Sequence, residues 1–68
     1  MQTSTQHPAI LDVVFYGPLR VFVSASTGAA VAVQDRATGC DAHGLYRCAY
    51  IAHAKTAAHA HWASRQDD

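Results

Sequence analysis

The sequence predicts an α+β fold in which a small antiparallel β-sheet, of three to four strands, is closed by a C-terminal α-helix. Two observations carry this prediction. The segment 35–39 opens with Asp35, whose side chain can bond the following backbone, and closes with Gly39, which accepts positive φ without strain. Such a segment is typical of a hairpin turn, so it favours a strand over 29–34. From residue 48 to 65 the chain is rich in alanine and holds neither Gly nor Pro, which favours a helix.

The first two strands are predicted from compact runs of apolar and β-branched residues over 9–16 and 19–25. Gly17 and Pro18 form the turn pair between them. The segment 26–28, Ser-Thr-Gly, suits a three-residue hairpin loop that leads into the third strand.

Two parts of this assignment have alternatives. A helix over 28–37, begun by an N-cap at Ser26 or Thr27, gives a β-α-β arrangement, because short apolar runs are ambiguous by periodicity alone. Residues 40–45 return either as a short fourth strand or as an extended loop.

The C-terminal helix is predicted to have one apolar face. Ile51, Ala54, Ala58 and Trp62 recur at helical spacing and therefore share a side, which we expect to cover the sheet. A strand over 57–63 is the alternative, because alanine and tryptophan alternate there with histidine.

The chain of 68 residues is expected to form a single α+β domain over 9–65. The polar segment 1–8 is expected to be a disordered N-terminal tail, and 66–68 a short C-terminal tail. Half of the residues are hydrophobic, but fourteen of these are alanine, which buries little area. The core is therefore small, and we expect marginal stability unless a metal, a disulfide or a partner subunit adds to it.

Charge and hydropathy exclude several classes of protein. Five basic and five acidic residues leave no net charge, and no basic stripe marks a nucleic-acid surface, so nucleic acid is not the expected partner. No apolar run reaches the length of a membrane span, and the N-terminus lacks the charged start and apolar core of a signal peptide. We expect a cytoplasmic protein in which Cys40 and Cys48 are reduced.

The predicted loop lengths decide which side chains share a face of the sheet. The face expected to lie under the helix carries Val14, Tyr16, Leu19, Val21, Val23, Val31 and Val33. The opposite face carries Arg20, Ser24, Ala30, Ala32 and Gln34, together with four larger apolar side chains that one helix cannot also cover, namely Leu11, Val13, Phe15 and Phe22. We call these four residues the apolar patch and take them as the candidate protein-binding residues. The alternative is that the N-terminal tail or a slipped register buries them.

Cysteine and histidine recur with a spacing that zinc sites use. The pattern Cys40-x2-His43-x4-Cys48-x4-His53 offers four ligands, and Gly44 follows the second of them. This spacing resembles that of the zinc knuckle, although the ligand order in the knuckle is Cys, Cys, His, Cys. A zinc-stabilised knuckle-like mini-domain that contacts nucleic acid is therefore the alternative function. The leading interpretation includes no metal and no cofactor.

Enzymatic activity is not expected. A thiol nucleophile at Cys40 or Cys48 needs a histidine base, and no residue pattern marks either thiol as activated. The segment 26–30 lacks the spacing and the lysine of a phosphate-binding loop. No catalytic residue is therefore assigned.

The order Val33-x-Asp35-x-x-Thr38-Gly39, followed by Gly44-Leu45-Tyr46-Arg47 and an alanine-rich helix, resembles many small bacterial and phage-type proteins with an antiparallel sheet and one closing helix. The resemblance spans residues 29–63. In size and simplicity it extends to anti-CRISPR proteins and other phage-encoded inhibitors, which occupy a surface of a larger host complex and have no catalytic site. It implies a non-catalytic protein-binding module, docked on a larger protein or paired with itself as a homodimer, and it transfers no functional residue.

Overall fold

The structure, a computed structural model, describes residues 10–66 as a three-stranded antiparallel sheet and one helix. The elements in chain order are β1 (Leu11–Tyr16), β2 (Leu19–Ser24), β3 (Ala30–Asp35) and α1 (Cys48–Gln66). The strands lie in the order β1-β2-β3, and α1 packs against all three. The predicted α+β class is confirmed, and the alternatives of a helix over 28–37 and a strand over 57–63 are wrong.

The predicted tails fall mostly beyond this part of the chain. Residues 1–8 and 67–68 lie outside the described residues. Gln66, which was assigned to the C-terminal tail, is instead the last residue of α1.

Two glycines set the turns at one end of the sheet. Gly17 has a φ of 55° and forms, with Pro18, the two-residue loop between β1 and β2. Glycine as the first residue of such a loop fits a type II′ turn. Gly39 has a φ of 74°, and its N–H donates to the Asp35 carbonyl at 2.8 Å, as the sequence predicts for the turn after β3.

The loop between β2 and β3 is one residue longer than predicted, and the strand register changes as a result. β2 ends at Ser24, and the register shifts beside Val23, so that Ala30 rather than Val31 lies opposite it. Such a β-bulge inserts one extra residue into a strand. Val31 is 61% exposed, so its assignment to the core was wrong, and so was the assignment of Ala30 to the opposite face, because Ala30 packs against the core.

The longer loop is held by the last part of α1. The indole N–H of Trp62 donates to the Ala25 carbonyl at 3.0 Å, and the Nδ1–H of His59 donates to the Gly28 carbonyl at 2.9 Å. Gly28 has a φ of 75°, and a Cβ atom there would overlap the indole ring. Contacts with a distant helix therefore hold this loop together with the local turn bonds that Ser24 and Thr27 accept.

The core lies between the sheet and α1. Its buried apolar residues are Leu19, Val21, Val23, Val33, Ala42, Ile51, Ala54 and Ala58. The predicted helix face supplies three of them, and its fourth member, Trp62, is half-buried against the same cluster, as are Val14 and Tyr16. Ala42 was not foreseen. It belongs to residues 40–45, which form an extended loop that touches β3 through a single bridge between Gln34 and Asp41.

Candidate protein-binding site

The strand register brings the four residues of the apolar patch together on the sheet face away from α1. Val13 lies opposite Phe22, while Leu11 and Phe15 lie two residues to either side of Val13 and so share its face. Leu11 and Val13 are each 41% exposed, Phe15 is 56% exposed and Phe22 is half-buried. The register between β1 and β2 is the predicted one, so a slipped register does not bury the patch.

Two arginines flank Phe15 at one end of the patch. The guanidinium carbon of Arg36 lies 4.4 Å from the centre of the Phe15 ring, and that of Arg20 lies 6.0 Å from it. Arg36 is anchored to the β1–β2 hairpin, because its N–H donates to the Pro18 carbonyl at 2.8 Å and its Nη1 donates to the Gly17 carbonyl at 3.3 Å. The patch therefore has a cationic rim, and each exposed cation–π contact of this kind contributes about 0.5–1 kcal/mol.

β1 is an edge strand, and its outer backbone groups belong to residues of the patch. The Ile10 carbonyl accepts a hydrogen bond from the Ala25 N–H at 2.9 Å. Because bonding directions alternate along a strand, the even-numbered residues of β1 bond β2, and the N–H and C=O groups of Leu11, Val13 and Phe15 point away from it. No strand within residues 10–66 pairs with these outward groups, which we call the β1 edge.

The apolar patch and the β1 edge together have the chemistry of a protein contact. An uncovered edge pairs with another strand through backbone hydrogen bonds, while side chains on one face select the partner. Natural proteins block such pairing with lysine, proline, a bulge or an inward-pointing charge, and β1 contains only the last of these. Asp12 is the one charged residue of β1, and by alternation it belongs to the face that α1 covers.

The four candidate zinc ligands are spread over different elements. Cys40 is exposed after the β3 turn, and the Nδ1 of His43 lies 3.3 Å from an Asp41 carboxylate oxygen. Cys48 is the first residue of α1, and His53 lies further along it on an exposed side. Within residues 10–66 no three His, Cys, Asp or Glu side chains are grouped so that they could hold a metal ion. The knuckle-like spacing is therefore not accompanied by a knuckle-like arrangement.

A second surface, which sequence reasoning missed, is the groove between β3 and α1. It contains two shallow hollows of about 180 and 300 Å³, and a third and largest hollow, of about 310 Å³, lies beside it between residues 43–46 and α1. Lys55 lines all three. His43 and Cys48 both line the largest hollow, but in the described part of the chain no hydrogen bond joins their side chains. The signal in the sequence is Lys55 itself, the single lysine of the chain, within an alanine-rich helix.

Asp35 is a buried carboxylate that sequence reasoning treated only as a turn residue. It accepts hydrogen bonds from the Tyr46 hydroxyl and, at 3.0 Å each, from the N–H and the hydroxyl of Thr38. The bond from Tyr46, followed by those from Thr38, holds the pKa of Asp35 below its ordinary value, and the same carboxylate raises the pKa of Tyr46. These bonds tie the β3 turn to the segment before α1, so Asp35 has a structural role.

Comparison with known proteins adds no relative, because no family model, curated protein or solved structure matches the chain. In the part of the chain that the structure describes, no helix is both long and apolar enough to cross a membrane.

Proposed function

We propose that the chain is a non-catalytic protein-binding module and that it binds through the apolar patch and the β1 edge. The observation that carries the proposal is that exposed apolar side chains and open backbone groups occur on the same residues. Leu11, Val13 and Phe15 expose apolar side chains, and the same residues present backbone groups that no described strand pairs with. A protein that contacts this strand gains hydrophobic burial and strand pairing at once.

The cationic rim makes one end of the apolar patch positively charged and leaves the other end uncharged. Arg20 and Arg36 both lie beside Phe15, while Leu11, at the other end of the patch, is paired with the uncharged Ser24. A partner segment with apolar side chains toward Leu11 and an acidic group near Phe15 is complementary to this distribution.

In its specific form, the proposal is an inhibitor of the phage type that occupies a surface of a larger host complex in the cytoplasm. An inhibitor of this kind needs a rigid contact surface and no chemistry, which agrees with a patch carried by two paired strands. In the cytoplasm the exposed thiols of Cys40 and Cys48 stay reduced.

The test compares two valine-to-glutamate variants used as bait in a lysate of the source cells. Val13→Glu places a carboxylate at the centre of the apolar patch, whereas Val31→Glu makes the same change at an exposed position of β3 outside it. We expect a specific partner to bind the wild type and Val31→Glu and to be lost with Val13→Glu. Circular dichroism shows whether both variants are folded. A partner that binds all three baits equally contradicts the proposed surface.

A further inference from the structure

We propose that the β1 edge binds a second copy of this chain, in an antiparallel pairing whose two-fold axis passes through the Val13 position. The inference rests on the proposed function, because it names the partner of the same surface. In this arrangement Val13 lies opposite Val13 of the second copy, and Leu11 lies opposite its Phe15. The two sheets become one continuous sheet, with both helices on the same side.

The backbone groups of the β1 edge are self-complementary in this register. They belong to Leu11, Val13 and Phe15, at every second position, and a two-fold axis at the middle residue pairs this set with itself. Each of these residue pairs exchanges both of its N–H···O=C bonds, as hydrogen-bonded pairs do in antiparallel ladders. The backbone groups that already bond β2 are not needed.

Side chains disfavour the neighbouring registers. Sliding one copy by two residues puts Asp12 opposite Asp12, and like charges directly opposite destabilise a pair of strands. Sliding it the other way puts Leu11 opposite Gly17 and removes its apolar partner. Sliding by a single residue turns the open face of one copy to the same side as the helix-covered face of the other.

Net charge does not oppose this association, although the two Asp12 residues become diagonal neighbours on the helix-covered face. Five basic and five acidic residues leave no net charge, so two copies carry no overall repulsion. In the proposed register Asp12 lies opposite Val14 of the second copy, and the two Asp12 carboxylates are not direct neighbours.

The pairing enlarges the apolar patch. An edge contact leaves the open face of each sheet uncovered, so the two patches meet across the axis, with Leu11 of each copy beside Phe15 of the other. A host protein then docks on a surface to which both copies contribute. In the dimer the second copy takes the backbone groups of the β1 edge, so strand pairing serves self-association and the host protein contacts the apolar side chains of the patch.

Disulfide cross-linking tests the register, in a background in which the exposed Cys40 and Cys48 are replaced by serine. Val13→Cys should cross-link with itself, because the Cα atoms of a hydrogen-bonded pair lie about 5.5 Å apart, within disulfide range. Leu11→Cys and Phe15→Cys should each cross-link weakly alone, since a four-residue offset is about 14 Å along a strand. Mixing Leu11→Cys with Phe15→Cys should raise the yield of cross-linked dimer at least about 5-fold, because these two positions lie opposite each other in the proposed register. Val31→Cys is the matched control and should stay uncross-linked.

Three results would overturn the inference. Cross-linking of Val31→Cys as fast as Val13→Cys, or the absence of a gain on mixing, rules out the register. A wild-type chain that sediments as a monomer at about 100 μM rules out the second copy as the occupant. The lysate experiment tests the proposed function separately. That function is wrong if the Val13→Glu bait retains every partner that binds the wild type. It survives when a monomeric wild type loses its partner through that substitution.

Discussion

The indole ring of Trp62 occupies the space that a side chain at Gly28 would need. Gly28 has a φ of 75°, and the indole N–H donates to the Ala25 carbonyl in the same loop at 3.0 Å. Trp62, near the end of α1, thus binds the backbone of the β2–β3 loop and leaves no room for a side chain at Gly28. The contact offers a matched test, because Gly39 has a similar φ but no neighbour within 4 Å of an added Cβ.

Gly28→Ala should destabilise the fold more than Gly39→Ala does. The φ values of 75° and 74° expose both variants to the strain of positive φ, which is about 1 kcal/mol. At Gly28 the new Cβ also meets the Trp62 ring, and overpacking of this kind adds about 1–3 kcal/mol. Urea denaturation gives both free energies of unfolding. Equal losses would show that the ring moves aside without cost.

Protonation of Asp35 in acid should lower the free energy of unfolding. The hydrogen bond from Tyr46 is the largest cause, because it does most to lower the pKa of this carboxyl. Hydrogen bonds from Tyr46 and then from Thr38 hold the pKa of the folded carboxyl below 3.8. A depressed pKa contributes stability above the unfolded value, and that contribution is lost as the pH falls through the folded pKa.

Tyr46→Phe should therefore be less stable than the wild type near neutral pH and should lose less stability between about pH 5 and about pH 2. Tyr50→Phe removes a hydroxyl from the neighbouring ring, 5.8 Å from Tyr46 between centroids, and should keep the acid-induced loss. Urea midpoints across this range measure the effect. Parallel pH curves for the wild type and Tyr46→Phe would contradict it.

Truncation of two valines in β3 should distinguish the observed register from the predicted one. Val33 is 2% exposed, so Val33→Ala should lower the free energy of unfolding by about 2 kcal/mol. Val31 is 61% exposed, so Val31→Ala should lower it by less than about 0.5 kcal/mol. Thermal or urea unfolding measures both. Similar costs at the two positions would indicate that Val31 is buried and that the bulge is absent.

Removal of divalent metal should leave the fold intact. The described residues bring no three ligands together from Cys40, His43, Cys48 and His53. A structural zinc would contribute folding free energy, so a chelator would unfold so small a domain. We expect unchanged far-UV circular dichroism in excess EDTA and no stoichiometric zinc by elemental analysis. One zinc per chain, lost together with structure in Cys40→Ser or Cys48→Ser, would restore the knuckle-like alternative.

Local chemistry was sufficient to predict the main elements of this fold. The Asp35 side chain and the positive φ of Gly39 mark a turn in any tertiary setting, so they identify the strand before them. Helical spacing likewise identifies Ile51, Ala54 and Ala58 as the covered face of α1. The shared sheet face of the four patch residues was predicted correctly because the Gly17-Pro18 loop fixes the register of the two strands that carry them.

The features that sequence reasoning missed depend on contacts between distant residues. Ala30 and Val31 are both apolar, and the bulge that turns Ala30 toward the core follows a loop that Trp62 binds from the distant end of α1. Ala42 is buried because its backbone bonds Val33, which composition does not reveal. For the zinc hypothesis, ligand spacing indicates proximity along the chain and says nothing about the direction of each side chain.

The two edges of the sheet are unequal, and this limits how far an assembly can grow. Part of the β3 edge is taken by residues 40–42, through bonds of 2.8 Å from the Asp35 N–H to the Cys40 carbonyl and 2.9 Å from the Ala42 N–H to the Val33 carbonyl. The bulge beside Val31 distorts the remainder. Of the two edges in the described part of the chain, β1 offers the regular ladder. With one regular open edge, the proposed strand addition would stop at a closed pair of chains, whereas a fibre requires two open edges in every unit.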